Sequence, residues 1–189
     1  MISPEQIESI MRSDSKEEKI KILEWTCECV DPAILNTIIS ALDDIDIQIR
    51  GEAFSALVLN ENDISDILIQ NLNSQSKNVR GFSLLVLANR NDRKAIPRMI
   101  DSASDESSMV RSCAVGALGH LKASDAIHAI QKCMEDSNPE VRKSAIKAAI
   151  DIGDKTAFEK RLWNLRKERP GNPPVDSTPG LGSARGRLN

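Results

Sequence analysis

Apolar residues recur along most of the chain at intervals of three and four positions, which is the spacing of one face of an α-helix. One such stripe consists of Val110, Ala114, Val115 and Leu118. The segment that follows carries a second stripe, made of Ile127, Ile130 and Met134. Neither segment is apolar all round, so the pattern predicts two consecutive amphipathic helices that each bury one face.

The same two-helix pattern returns at a fixed period. Its marker is an aliphatic residue followed by arginine, found about 30 residues apart at Ile49-Arg50, Val79-Arg80, Val110-Arg111 and Val141-Arg142. Ile20-Lys21 continues the series one step earlier. A lone helical hairpin cannot bury two apolar stripes, whereas stacked hairpins share one continuous core. The period therefore predicts an all-α solenoid.

Signals for helix starts and breaks divide the chain into repeat units. Starts such as Asp136-Ser-Asn-Pro-Glu140 offer side-chain oxygens to the free amides of a first helical turn. The predicted units are 14–43, 44–73, 74–104, 105–135 and 136–166. Residues 1–13 are predicted to form an N-terminal capping helix. Residues 167–189 are rich in Pro and Gly and nearly free of large apolar residues, so we expect a flexible tail.

The phrase DESSMVRSCAVGALGHLKASDAIHAIQKCMED resembles a HEAT-like repeat of the phycobilisome-lyase type, and the resemblance covers about residues 14–166. It implies a right-handed solenoid of about five helical hairpins. It also implies a structural ladder of acidic residues and arginines between neighbouring units. The ladder residues in this chain are Asp44, Arg50, Arg80, Asp105, Arg111, Asp136 and Arg142, with Ser74 at the acidic position of the third unit.

Two further predictions concern the core. Trp25 aligns with Phe54, Leu84, Val115 and Ile146, so we assign it to the core. The four cysteines are scattered, and Cys27-Glu-Cys29 lacks the spacing of a zinc knuckle. We therefore expect packed, reduced thiols and no metal ion.

Charge is distributed unevenly along the chain. Residues 1–66 hold 15 acidic and 5 basic side chains, a net charge of −10, whereas residues 67–189 hold 13 acidic and 20 basic, a net charge of +7. This asymmetry bears on how a partner is oriented rather than on the fold. With no apolar run long enough to cross a bilayer and no secretory signal, we expect a soluble, cytoplasmic protein.

The sequence offers little chemistry. HEAT-like iron hydroxylases use repeated His-Glu pairs as ligands, but neither His120 nor His128 is followed by Glu, so we expect both to be surface histidines. There is no phosphate-binding glycine loop and no indicated Ser-His-Asp arrangement. We therefore predict a non-enzymatic protein without a cofactor. Two alternatives stay open: a bilin-lyase-like subunit, although the chain has no tyrosine for such a pocket, and a nucleic-acid-binding protein, although the pI is near 5.5.

The remaining hypothesis is a protein partner bound on the concave side of the solenoid, which the second helix of each unit should line. Two rows of aligned positions on these helices, with flanking basic residues, give the predicted groove. Its residues are Asn36, Ser40, Asp66, Gln70, Lys94, Arg98, Asp101, His128, Lys132, Glu159, Lys160 and Trp163. Trp163 is either a partner anchor or a cap on the core end. The groove is predicted to be uncharged to acidic at its start and more basic from Lys94 onward, which would orient an elongated protein partner.

Overall fold

In the computed structural model, residues 3–154 and residue 159 are described, and the predicted tail lies outside them. The described part contains ten α-helices. They are α1 (Pro4–Met11), α2 (Lys16–Trp25), α3 (Pro32–Ser40), α4 (Ile47–Leu59), α5 (Ser65–Gln70), α6 (Lys77–Asn89), α7 (Ile96–Ser102), α8 (Ser108–His120), α9 (Ile127–Cys133) and α10 (Pro139–Ile152). Short 3-10 turns adjoin the second helices at Ala41–Asp43, Asn71–Asn73, Arg93–Ala95 and Ser124–Ala126.

Local sequence explains where the helices begin. The Ser76 hydroxyl accepts hydrogen bonds from the amides of Asn78 and Val79 at 3.2 and 3.3 Å, which caps α6. The Asn138 side chain caps α10 in the same way, accepting from the amide of Glu140 at 2.9 Å. These bonds satisfy amides that have no partner within the helix.

The breaks between paired helices also repeat. Three residues just after first helices have a positive φ. Asn91 (56°) and Lys122 (49°) lie two positions after the ends of α6 and α8, and Gly153 (95°) lies one position after the end of α10. These three residues occupy equivalent places, 31 positions apart in the sequence. The left-handed conformation ends the first helix and turns the chain towards the second.

Consecutive helices form the hairpins α2–α3, α4–α5, α6–α7 and α8–α9, and α10 takes the place of a first helix after the fourth hairpin. The first helices pack in order, α2 on α4, α4 on α6, α6 on α8 and α8 on α10. The second helices α3, α5, α7 and α9 form the other layer and also pack on the first helix of the next hairpin. Helix α1 packs on α2 and α3, the place that a preceding second helix would take.

The buried side chains form one continuous core between the two layers. Each hairpin contributes large aliphatic residues that are fully buried, among them Leu23, Ile38, Leu57, Leu87 and Leu118. The stripe that the sequence predicted on α8 is buried as expected, with Val110, Ala114, Val115 and Leu118 all inaccessible. The protein is an α-solenoid of stacked hairpins.

The register of the first hairpin differs from the prediction by two residues. Trp25, assigned to the core, is 59% exposed, whereas Leu23 is fully buried. Leu23 lies four residues after Lys19, as Leu84 lies four residues after Arg80, so Leu23 takes the core position. The prediction was wrong because it aligned Lys21 with the arginines, and Lys21 is exposed.

Two smaller points concern the thiols and the membrane. All four cysteines are free; Cys133 is buried and the others are half-buried. Burial raises the pKa of the Cys113 thiol to about 11, so this thiol stays protonated at neutral pH. Within the described range, no helix has both the length and the apolar character needed to span a membrane.

Candidate partner-binding surface

Nine of the ten predicted groove residues that the structure describes lie on the second helices or in the turn Arg93–Ala95, and Glu159 lies on none of these elements. We call the solvent side of helices α3, α5, α7 and α9, with the turn Arg93–Ala95, the second-helix face. Arg98 is half-buried and the other described groove residues are exposed. These are Asn36, Ser40, Asp66, Gln70, Lys94, Asp101, His128, Lys132 and Glu159. Lys160 and Trp163 lie outside the described residues.

Side chains on this face interact across the hairpins. The side-chain amide of Asn71 donates to the side-chain oxygen of Asn36 at 3.2 Å. Farther along, the guanidinium of Arg98 donates to the side-chain oxygen of Asn73 at 2.6 Å and lies 3.7 Å from the Asp101 carboxylate. These contacts hold neighbouring second helices in register.

Lys94 lies between two carboxylates of the preceding hairpin, 3.2 Å from Asp63 and 3.3 Å from Asp66. Partial desolvation opposes its charge, but hydrogen bonds to both carboxylates outweigh this and raise the pKa of Lys94. Hydrogen bonds from Ser65 and then Lys94 lower the pKa of Asp63. The charges of Lys94 and Arg98 are therefore partly balanced, and the basic character expected from Lys94 onward is weaker than the sequence suggested. Within the described range Lys132 makes no ion pair.

Two clefts open on or beside this face. A cleft of about 410 Å³ lies between α1 and α3, lined by Pro4, Glu5, Glu8, Ala33, Asn36, Thr37 and Ser40. A second cleft of about 360 Å³ lies where the second and third hairpins meet, lined by Glu61, Asn62, Asp63, Ser65, Arg90, Asp92 and Lys94. The first cleft has carboxylates on one wall and hydroxyl and amide groups on the other, and it includes the first two predicted groove residues.

The arginines of the repeat marker make the same contacts in every unit. Each donates from Nη1 to the carbonyl oxygens five and six residues before it. The distances to the carbonyl six residues before are 2.7 Å for Arg50, 2.8 Å for Arg80, 2.9 Å for Arg111 and 2.8 Å for Arg142. The arginine therefore fastens the loop that precedes its own helix.

Two of these arginines also bridge to the next hairpin. Arg80 binds the Asp105 carboxylate through Nε at 2.8 Å and Nη2 at 2.9 Å. Arg111 binds Asp136 likewise, at 2.7 and 2.9 Å. Burial opposes the ionisation of Asp105, but the paired guanidinium outweighs it, so the pKa of Asp105 is lowered. Planar two-point pairing of this kind suits arginine better than lysine.

The ladder is extended at one junction and interrupted at another. Lys19 lies 3.4 Å from Asp44, with the same 25-residue spacing as Arg80 to Asp105, so it takes the cation position that the sequence alignment gave to Lys21. At the next junction the position equivalent to Asp105 is Ser74, which has no carboxylate to offer Arg50. Within the described residues, Nε and Nη2 of Arg50 have no hydrogen-bond partner.

Sequence reasoning missed a second set of links at the opposite ends of the first helices. The side-chain amide of Asn60 donates to the Cys29 carbonyl at 2.8 Å. Arg90 donates to the carbonyl of Asn60 and, at 2.6 Å, to that of Asn62. Arg93 donates to the Leu121 carbonyl at 2.6 Å. The available signal was a polar side chain, Asn60 or Arg90, just after α4 and α6, close to helix ends where carbonyls lack helical partners.

Two observations concern metal binding and the histidines. No group of three or more His, Cys, Asp and Glu side chains in that part of the chain could hold a metal ion. His120 and His128 are exposed, as expected of surface histidines. The second-helix face carries exposed polar side chains on each of its four helices.

Stacked helical hairpins with such a face define the class of helical-repeat proteins, a fold that is typically non-catalytic and commonly mediates protein interactions. A family model described as HEAT repeats matches residues 65–150 and 114–160, which together are just over half of the chain. The chain belongs to the HEAT-repeat family. A comparison with curated proteins found no match.

Solved structures show the same fold. The complex of CpcE and CpcF of phycocyanin lyase from Nostoc sp. PCC7120 has a TM-score of 0.56 and 20% identity, covering 88% of this chain and 71% of that chain. A chain from a study of TOG–tubulin binding specificity has a TM-score of 0.52 and 14% identity, covering 87% and 82%. A chain from a complex in which Kap95p binds RanGDP has a TM-score of 0.53 and 17% identity, covering 86% and 23%. At these identities the similarity establishes the fold alone.

Proposed function

We propose that this protein is a non-catalytic interaction module, a scaffold or adaptor, that binds an elongated segment of another protein along the second-helix face. The observation that carries the proposal is the exposure of aligned polar positions on four successive second helices, α3, α5, α7 and α9. Their apolar stripes are buried in the shared core, so this face is free to make contacts without cost to the fold.

An extended guest fits the spacing of this face. Packed helices lie about 8 to 10 Å apart, and an extended chain advances about 3.3 Å per residue. Every third residue of such a guest therefore meets a new second helix. Exposed pairs such as Asn36 with Ser40, or Asp66 with Gln70, lie one helical turn apart and can contact both edges of the guest backbone.

Charge gives the guest a direction. The α1–α3 cleft includes Glu5 and Glu8, whereas the far end of the described face carries Lys132. Lys94 and Arg98, in the middle of the face, are partly neutralised by neighbouring carboxylates. The difference in charge along the face is therefore a difference between its two ends. We infer that the basic end of the guest binds near α1 and its acidic end near α9.

The similar structures are consistent with this proposal. CpcE is solved in complex with CpcF, and Kap95p with RanGDP, so HEAT-like solenoids of this shape bind other proteins. The lyase alternative is supported by the CpcE and CpcF similarity, but only at the level of fold. A purified sample with visible absorbance would favour that alternative, because an open-chain tetrapyrrole is coloured.

Site-specific photocrosslinking tests the proposal. A photoreactive amino acid is placed at Gln70 or Asp101 on the second-helix face, and at Gln48 or Lys147 on exposed positions of the first helices as matched controls. We expect one protein to be captured from both second-helix positions and from neither control. Capture of the same protein only from Gln48 or Lys147 would contradict the assignment of the face.

A further inference from the structure

We propose that Ser74 is a phospho-acceptor position, at which an attached phosphoryl group binds Arg50 and completes the ladder between the second and third hairpins. The proposal goes beyond the binding role of the second-helix face. It rests on a comparison of equivalent positions within this one chain.

The first observation is what occupies the acidic position in each loop. Asp44, Asp105 and Asp136 each accept the backbone amide two residues later, at 2.8 Å in all three cases. Each also receives a cation from the preceding hairpin, at 3.4, 2.8 and 2.7 Å respectively. Ser74 accepts the amide of Ser76 at 3.2 Å, so its hydroxyl lies where the carboxylates lie, but it brings no charge.

The second observation is the state of the arginine opposite. Arg50 donates from Nη1 to the carbonyls of Asp44 and Ile45 at 2.7 and 3.1 Å, and Arg80 makes the matching bonds at 2.8 and 3.1 Å. The two guanidinium groups are therefore held alike. In Arg80 the remaining edge binds a carboxylate, whereas in Arg50 that edge has no partner among the described residues.

Ser74 can be reached from solvent, and the carboxylates of the neighbouring loop are engaged by other groups. Ser74 is partly exposed in the loop that precedes α6. The carboxylates on the loop before α4 are already engaged: Asp43 accepts from Asn78 at 2.8 Å, Asp44 lies 3.4 Å from Lys19, and Asp46 lies 2.7 Å from Lys16. Arg50 is thus a ladder cation that has no ion pair among the described residues.

The chemistry is an ordinary phosphoryl transfer. The Ser74 oxygen forms a bond to the γ-phosphorus of a nucleoside triphosphate held by a protein kinase, and the bond from that phosphorus to the β-phosphate oxygen breaks. The hydroxyl proton passes to the kinase's base, and a nucleoside diphosphate leaves. The product carries a charge near −2 and three acceptor oxygens, which match the free edge of a guanidinium.

The expected consequence is a stiffer junction. In a solenoid each hairpin contacts only its neighbours, so one strengthened interface changes the local opening of the helices beside it. Phosphorylation of Ser74 would thereby regulate how readily α4 and α6 separate. The other junctions already carry their anions and would not respond.

The test is hydrogen exchange on protein carrying phosphoserine at position 74, introduced during translation. We expect amides of α4 and α6 that face the junction to exchange about tenfold more slowly than in the unmodified protein. The effect should vanish in Arg50→Gln. Ser74→Asp should reproduce part of it, and phosphoserine at the exposed Ser124, away from any ladder cation, should leave this junction unchanged.

Three results would overturn the proposal. One is that amide hydrogens of α4 and α6 exchange no more slowly in protein carrying phosphoserine at position 74, in a sample whose circular dichroism shows the normal helix content. Another is equal slowing in the Arg50→Gln background. The third is the same slowing in unmodified protein on addition of millimolar inorganic phosphate, which would identify a free-anion site instead of a modification site.

Discussion

Gly119 on α8 lies directly against Ala148 on α10. A Cβ atom placed on Gly119 would lie 2.6 Å from both the Cα and the Cβ of Ala148, far inside van der Waals contact. The missing side chain therefore sets how closely these two first helices approach. Gly116, one turn earlier on α8, has open space around the same position.

We expect Gly119→Ala to destabilise the protein by about 1–3 kcal/mol, because the added methyl forces α8 and α10 apart. Gly116→Ala is the matched control and should stabilise by about 0.5–1 kcal/mol, since alanine favours the helix and meets no neighbour. Urea unfolding followed by circular dichroism measures both. Similar effects of the two substitutions would show that the close approach is not structural.

The pair formed by Arg80 and Asp105 should contribute to stability more than surface ion pairs do. The Arg80 side chain is 9% exposed, and two of its nitrogens bind one carboxylate. Arg80→Met keeps the aliphatic stem and removes the bonds, so we expect a loss of about 1–3 kcal/mol. Lys143→Met, which removes an exposed pair with Glu140, should change stability by less than about 0.5 kcal/mol. Equal effects in urea unfolding would refute a special role for the ladder.

The ladder also predicts how stability depends on pH. Arg111 lowers the pKa of Asp136, and Arg80, acting against burial, lowers that of Asp105. In the unfolded chain these carboxyls titrate near pH 3.9, so their stabilising effect is complete above about pH 5 and is lost as pH falls through the lower folded pKa values. The double variant Asp105→Asn/Asp136→Asn should be less stable at pH 7 and lose less stability between pH 5 and 3. Parallel curves for variant and wild type would contradict this.

The register of the first hairpin gives a further prediction. Leu23 is fully buried and Trp25 is 59% exposed. We expect Leu23→Ala to cost about 2–5 kcal/mol and Trp25→Ala to cost less than about 1 kcal/mol. Thermal unfolding compares the two directly. A larger effect at Trp25 would restore the original sequence alignment.

This hairpin also shows why sequence predicted the fold better than the details. The period of the arginine marker and the stripes such as Val110 to Leu118 follow from helix geometry, so the solenoid could be predicted. The first unit lacks an arginine, and both Lys19 and Lys21 can fill its place in a one-dimensional alignment. The structure distinguishes them by the contact of Lys19 with Asp44, 25 residues away, and by the burial of Leu23.

The candidate surface was predictable in the same partial way. Positions such as Asn36, Asp66 and Lys132 could be placed on the second helices from periodicity, and they are exposed there. The pairing of Lys94 with Asp63 could not be predicted, because it depends on how far one hairpin is rotated against the next. Periodicity predicts which face of a helix a residue lies on, but it does not predict which side chains of two helices contact each other.

The most direct test of the central proposal is the affinity of the captured partner for two matched charge variants. Gln70→Arg/Asp101→Arg alters the second-helix face, and Glu24→Arg/Gln48→Arg makes the same change in charge at exposed positions of the first helices. Isothermal titration calorimetry should show binding at least about tenfold weaker for the first variant, a difference of about 1.4 kcal/mol, and unchanged for the second. Unchanged binding by the first variant with lost binding by the second would place the partner on the opposite side of the solenoid and contradict the account.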